Sequence, residues 1–82
     1  MLKIAKQLLK RFKKELGLKE WNIELFLEAN LNDSVRYKQT EKIALIVINS
    51  KKDYNQIKDQ IRHELLHIKY PHYTEEQILK IK

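Results

Sequence analysis

The chain has 82 residues and no cysteine, so it is long enough for one small domain, and disulfide bonds and thiolate metal ligands are excluded. Lysine and arginine outnumber aspartate and glutamate by 17 to 11, and the net charge of +6 permits binding to nucleic acid or to an acidic partner. A solvated, lysine-rich surface accounts for the same charge. We predict a single domain over residues 1–82.

Two stretches bear on the cellular compartment. The N-terminal MLKIAKQLLKRFKKEL carries lysines among its apolar residues, so it lacks the uninterrupted apolar stretch of a signal peptide. The longest apolar run, IALIVI at 43–48, is too short to span a bilayer. The absence of cysteine fits a reducing compartment, and together these features predict a cytoplasmic protein that does not enter a membrane.

The first half of the chain predicts one helix and three strands. Residues 2–16 repeat apolar side chains at helical spacing, and Gly17 is placed to stop this helix. Strands are predicted at 21–29, 35–40 and 42–50, with the turn-forming NLNDS between the first two. The third strand is predicted to be the most buried, because both of its faces are apolar.

The second half predicts two helices. Ser50, with Asp53 three residues later, resembles a helix N-cap, and a helix from about 52 to 70 follows. Pro71 ends it, because the residue before a proline is pushed out of the helical region. A last short helix is predicted from Thr74 to the C-terminus. A helix, three strands and two helices in this order predict an α+β fold.

The helix at 52–70 carries two neighbouring stripes of side chains. The apolar stripe, which must face the sheet, consists of Ile57, Ile61, Leu65 and Ile68. The second stripe contains no aliphatic residue and consists of Gln56, Gln60, His63 and His67. Glu64 lies between the two. A line of amides and imidazoles beside a core face is typical of a helix that lines a cleft.

The second stripe includes the motif HELLH at 63–67. His63 and His67 are one helical turn apart, so their imidazoles can bind one zinc ion, and Glu64 can accept a proton from the water on that ion. The alternative is that both histidines are ordinary surface residues of a core helix.

The third zinc ligand has three candidates. A catalytic zinc site takes three protein ligands and leaves one position for water. His72 follows the turn at Pro71, which brings it near the end of the motif helix. Glu75 and Glu76 are the alternative third ligands, and their ordinary role is to stabilise a helix N-terminus.

The combination of HELLH and the following YPH resembles the minigluzincins, very small soluble zinc metallopeptidases of prokaryotes. The predicted element order is also similar to the catalytic core shared with the larger gluzincins, most of which take their third ligand from a glutamate on a following helix. The resemblance implies one Zn²⁺ held by His63, His67 and His72, Glu64 as general base, and a peptide or unfolded-protein substrate. It also implies a C-terminal segment that keeps the enzyme latent, within one chain or by helix exchange in a homodimer.

Further residues are candidates for contacts with a substrate. Tyr70, Tyr73 and Gln60 lie beside the motif and could donate hydrogen bonds to a substrate or an oxyanion, although tyrosines in small domains are usually packing residues. An extended substrate commonly adds to an exposed sheet edge, and the resemblance to gluzincins implies that the segment 42–49 forms this rim strand of the cleft.

A second hypothesis rests on the basic N-terminal helix. It predicts a small binding module for nucleic acid or a protein partner, with a structural or vestigial zinc site. The basic face holds no aromatic residue that could stack a base, which makes nucleic acid an unfavoured partner. The basic residues are Lys3, Lys6, Lys10, Arg11, Lys13 and Lys14.

Overall fold

The structure is a computed structural model that describes residues 1–81. It confirms the α+β order predicted from the sequence, with an N-terminal helix, three strands, the HExxH helix and a short C-terminal helix. The elements are α1 (Leu2–Glu15), β1 (Asn22–Glu28), β2 (Ser34–Lys38), β3 (Ile43–Asn49), α2 (Tyr54–Lys69) and α3 (Glu75–Leu79).

Helix α1 buries one apolar stripe and ends where the sequence predicted. Gly17 adopts a φ of 71°, the left-handed conformation that glycine tolerates best. The amide of Leu18 donates to the carbonyl of Lys13 at 2.8 Å, and Gly17 donates to Lys14 at 3.3 Å, which is the Schellman pattern of helix termination. The buried residues of the stripe are Ala5, Leu8, Leu9 and Phe12.

The three strands form one sheet in the order β1-β3-β2. Strand β3 pairs in parallel with β1 and antiparallel with β2, and its Ala44, Ile46 and Ile48 are at most 9% exposed, so the prediction that it is the most buried strand is confirmed. Only the face toward the helices is buried, because Ile43 on the other face is 40% exposed. The prediction that 42–49 forms an open rim is wrong, because β3 is paired along both sides. The free edges of the sheet belong to β1 and β2.

Helix α2 begins slightly later than predicted. Asp53, not Ser50, is the N-cap: its carboxylate accepts from the Gln56 amide at 2.9 Å, and the Gln56 side chain accepts from the Asp53 amide at 3.0 Å. This reciprocal pair satisfies two amides that the helix itself leaves free. The helix ends at Lys69, before Pro71, as predicted. Its sheet-facing stripe, at most 1% exposed, is Ile57, Ile61, Leu65 and Ile68.

Helix α3 is capped by Thr74 and Gln77, which share a capping box as the sequence predicted. Ile78 is 1% exposed and packs within its own chain, whereas Leu79 is 68% exposed. The C-terminal segment is therefore anchored to α2 mainly through Ile78. Within residues 1–81, no helix has both the length and the apolar character needed to cross a membrane.

Candidate metal centre

The two histidines of the motif converge at the end of α2. His63 and His67 are one turn apart, and their Nε2 atoms lie 3.2 Å from each other with the ring planes at 87°. Their side chains are 15% and 22% exposed, so both rings lie at the boundary between the core and solvent. A regular helix is sufficient to produce this convergence, because residues four apart share one face.

A carboxylate from α3 completes the group. Glu75 Oε1 lies 2.6 Å from His63 Nε2, and Glu75 Oε2 lies 2.8 Å from His67 Nε2. The turn at Pro71 and the cap at Thr74 start α3 at the position that brings its first residue back over α2. Among the described residues, His63, His67 and Glu75 form a three-residue group able to hold a metal ion.

The other two candidates for the third ligand lie elsewhere. His72 is exposed in the turn between α2 and α3 and is not part of the group around His63 and His67. Glu76 points to solvent, where its Oε1 lies 3.6 Å from Lys80 Nζ. Of the candidates named from the sequence, Glu75 is therefore the one that lies beside His63 and His67. His72 is held in the turn, whereas α3 folds back over α2 after it.

Two imidazoles and one carboxylate are a donor set that zinc accepts. Bonds of about 2.0–2.1 Å to two imidazoles place the two nitrogens about 3.3 Å apart in a tetrahedron, and the observed separation is 3.2 Å. The carboxylate oxygens are closer, at 2.6 and 2.8 Å, and need a small outward movement to reach the same geometry. Lone pairs that converge this closely repel one another unless a proton or a cation lies between them. A zinc ion held by these three residues would keep a coordination position for water.

Glu64 is a buried carboxylic acid beside this group. It is 5% exposed, and Gln60 Nε2 donates to its Oε1 at 3.1 Å. Burial raises the pKa of Glu64 above its usual range, while positive charge on His63 and His67 and the bond from Gln60 act in the opposite direction. A buried carboxyl next to a three-donor group is suited to carrying a proton.

Gln60 is expected to be a positioning residue for Glu64. Replacing Gln60 with methionine keeps the length of the side chain but removes the donor, so one carboxylate oxygen loses its fixed orientation. If the chain is the zinc peptidase that the resemblance implies, kcat for peptide hydrolysis should fall by about tenfold, the effect of about 1.4 kcal/mol, with KM and zinc content unchanged. Gln7→Met on the exposed face of α1 is the matched control, and an equal loss in both variants would contradict this role.

Tyr70 and Tyr73 contact each other at the turn that follows α2. Their rings stack with centroids 4.7 Å apart, and the Tyr73 amide donates to the Tyr70 carbonyl at 3.0 Å. Tyr73 is 45% exposed. This stacking gives Tyr70 and Tyr73 a structural role in the turn. The contact of either residue with an oxyanion stays a prediction.

A cleft of about 440 Å³ adjoins the metal-binding group. Gln60 and His63 line it on one side and Glu75 on the other, with apolar walls from Leu66 and Ile78. The cleft therefore opens directly beside two of the three donors, His63 and Glu75. A larger depression of about 500 Å³ lies between β1 and β2 on the sheet, away from the histidines.

Asp33 is a neighbour of the site that sequence reasoning missed. Its Oδ1 accepts from the Asn49 amide at 2.7 Å, its Oδ2 pairs with Lys52, and its charge contributes to the raised pKa of Glu64. In the sequence it lies in the turn-forming NLNDS, and nothing local to that stretch indicates proximity to residue 64.

Comparisons of the chain with protein-family models, curated proteins and solved structures gave no match.

Proposed function

We propose that this chain is a zinc-dependent metallopeptidase whose ion is held by His63, His67 and Glu75. The observation that supports the proposal is the convergence of these three donors next to the buried carboxyl of Glu64. Two imidazoles, one carboxylate and one position for water are the ligand set of several catalytic zinc sites. A glutamate from the helix after the motif is also what the resemblance to gluzincins implies for most members.

The chemistry of the residues follows from their positions. Zinc held by His63, His67 and Glu75 would supply a Lewis acid and would lower the pKa of a bound water to about 7. Glu64 accepts a proton from the attacking water and delivers it to the departing amine nitrogen. Gln60 holds one oxygen of Glu64, which leaves the second oxygen to exchange the proton. His63 and His67 remain neutral when they act as ligands.

The proposal is tested on the purified 82-residue chain. We expect one zinc per chain by mass spectrometry of the metal, slow hydrolysis of an unfolded protein such as reduced casein, loss of hydrolysis with a chelator, and recovery with added zinc. Hydrolysis that persists at full rate in the chelated protein would contradict the proposal, as would a chain that stays free of zinc in the presence of excess metal.

The alternative function, a basic binding module, is supported by a lysine-lined groove on the N-terminal helix. This groove has a volume of about 440 Å³ and surrounds Leu9. If it is only the solvated face of α1, duplex DNA should bind no tighter than about 10⁻⁴ to 10⁻⁶ M at physiological salt. Its lysines are Lys6, Lys10, Lys13, Lys14 and Lys19.

Fluorescence anisotropy with labelled duplex DNA measures this affinity at several salt concentrations. Submicromolar, salt-dependent binding that is lost on neutralising Lys6, Lys10 and Lys13 would favour the binding module. The matched control neutralises Lys51, Lys58 and Lys69, which lie outside α1, so that both variants carry the same net charge.

Latency through the C-terminal segment, and a homodimer formed by its exchange, stay predictions. Helix α3 supplies Glu75 to the proposed metal centre and Ile78 to the core. Deleting residues 75–82 would therefore remove a ligand together with any cover over the cleft. The truncation does not separate the two roles, and point variants of α3 are needed instead.

A further inference from the structure

One face of the sheet is covered by no helix of residues 1–81, and it is called the open face below. Side chains alternate along each strand, and those toward α1 and α2 are the more buried ones. The open face is apolar along β3 and at Phe26 of the neighbouring β1: Phe26 and Ile43 are 43% and 40% exposed, and Leu45 and Val47 are half-buried beside them. An apolar strip of this kind is common where a sheet packs on a second sheet.

Charges of opposite sign border this strip on its two sides. The β1 side carries Glu24 and Glu28, and the β2 side carries Arg36 and Lys38. The strand register aligns two of them, because Glu24 and Arg36 both pair with Leu45. Glu24, Leu45 and Arg36 therefore form one row across the sheet, acidic at one end, apolar in the middle and basic at the other.

This row is complementary to itself under one particular symmetry. A two-fold axis that runs along β3, between two stacked sheets, places β1 of one copy over β2 of the other. Glu24 then faces the second copy's Arg36, and Arg36 faces its Glu24, while the two Leu45 side chains meet at the centre. A two-fold axis across the strands would instead place Glu24 over the β1 strand of the other copy, acid against acid, which is unfavourable.

We propose that the open face binds a second copy of this chain, with the two sheets stacked about a two-fold axis along β3. The contact is independent of the proposed peptidase function, because α2 and the metal-binding group lie on the opposite side of the sheet. The central strand has seven residues and is about 23 Å long at about 3.3 Å per residue, and three strands spaced about 4.8 Å apart are about 14 Å wide. The open face therefore has an area of roughly 300 Å² per copy. This is well below the roughly 800 Å² per partner of a standard interface, so the dimer is weak and exchanges rapidly.

Sedimentation velocity on the full-length chain up to about 1 mM tests the proposal. The wild-type chain forms a concentration-dependent dimer. Glu24→Lys and Arg36→Glu each raise the dissociation constant at least tenfold, because each places like charges opposite one another. An equimolar mixture of the two variants regains association close to the wild-type level. In the mixed dimer the lysine introduced in one chain faces the glutamate introduced in the other, and the second charge pair stays native.

Two matched controls make the same changes of charge on α1. Glu15→Lys and Lys10→Glu leave the dissociation constant within twofold of wild type, since neither residue lies on the sheet. The proposal is overturned if the wild-type chain is monomeric throughout the concentration range, or if the mixture of sheet variants does not associate. A dimer whose dissociation constant is unchanged in both sheet variants also overturns it.

Discussion

Replacing Glu64 with glutamine should retain zinc and lower kcat for peptide hydrolysis by about 10² to 10⁴-fold, the range that general acid–base catalysis contributes. Glutamine has the shape of glutamate but cannot accept and release the proton. Its side-chain oxygen can still accept from Gln60, so the buried hydrogen bond is kept. The loss should appear in kcat and not in zinc content.

The measurement compares zinc per chain with turnover of an unfolded protein in the same preparation. Glu76→Gln is the matched control, because Glu76 is a solvent-exposed glutamate on α3 that lies outside the metal-binding group. Turnover at the wild-type rate in Glu64→Gln would rule out Glu64 as general base. Loss of zinc in Glu64→Gln would mean that Glu64 helps to hold the metal ion in addition to transferring a proton.

Replacing Glu75 with alanine should weaken zinc binding by more than about 100-fold, the upper end of the loss seen when only an outer-shell partner of a ligand is removed. Glu75 contacts both imidazole nitrogens, whereas His72 lies outside their group. His72→Ala should therefore change the zinc affinity by less than twofold. His63→Ala and His67→Ala should each abolish stoichiometric zinc.

Competition with a chelating dye of known affinity measures all four variants on one scale. Circular dichroism separates loss of a ligand from loss of the fold, since Ile78 on the same helix contributes to the core. If His72→Ala loses zinc and Glu75→Ala keeps it, the third ligand is the one that the sequence resemblance implies. The arrangement of α3 over α2 would then differ from the one described above.

The sequence by itself determined the features of this protein that depend on local spacing. The periodicity of 57–68 identified the stripe that packs on the sheet, and HELLH placed two imidazoles one turn apart with an acid beside them. Gly17 and Pro71 ended their helices at the predicted points. Each of these depends on residues within a few positions of one another, so a regular backbone is enough to derive them.

Tertiary structure alone decided which distant segments meet. Nothing local specifies that β3 pairs with both β1 and β2, and the expected rim at 42–49 was wrong for that reason. His72 is nearer in sequence to the motif than Glu75, yet the direction of α3 after the turn brings Glu75 to His63 and His67. Ile78 accounts for this direction, because burying it against α2 orients the whole of α3 and carries Glu75 with it.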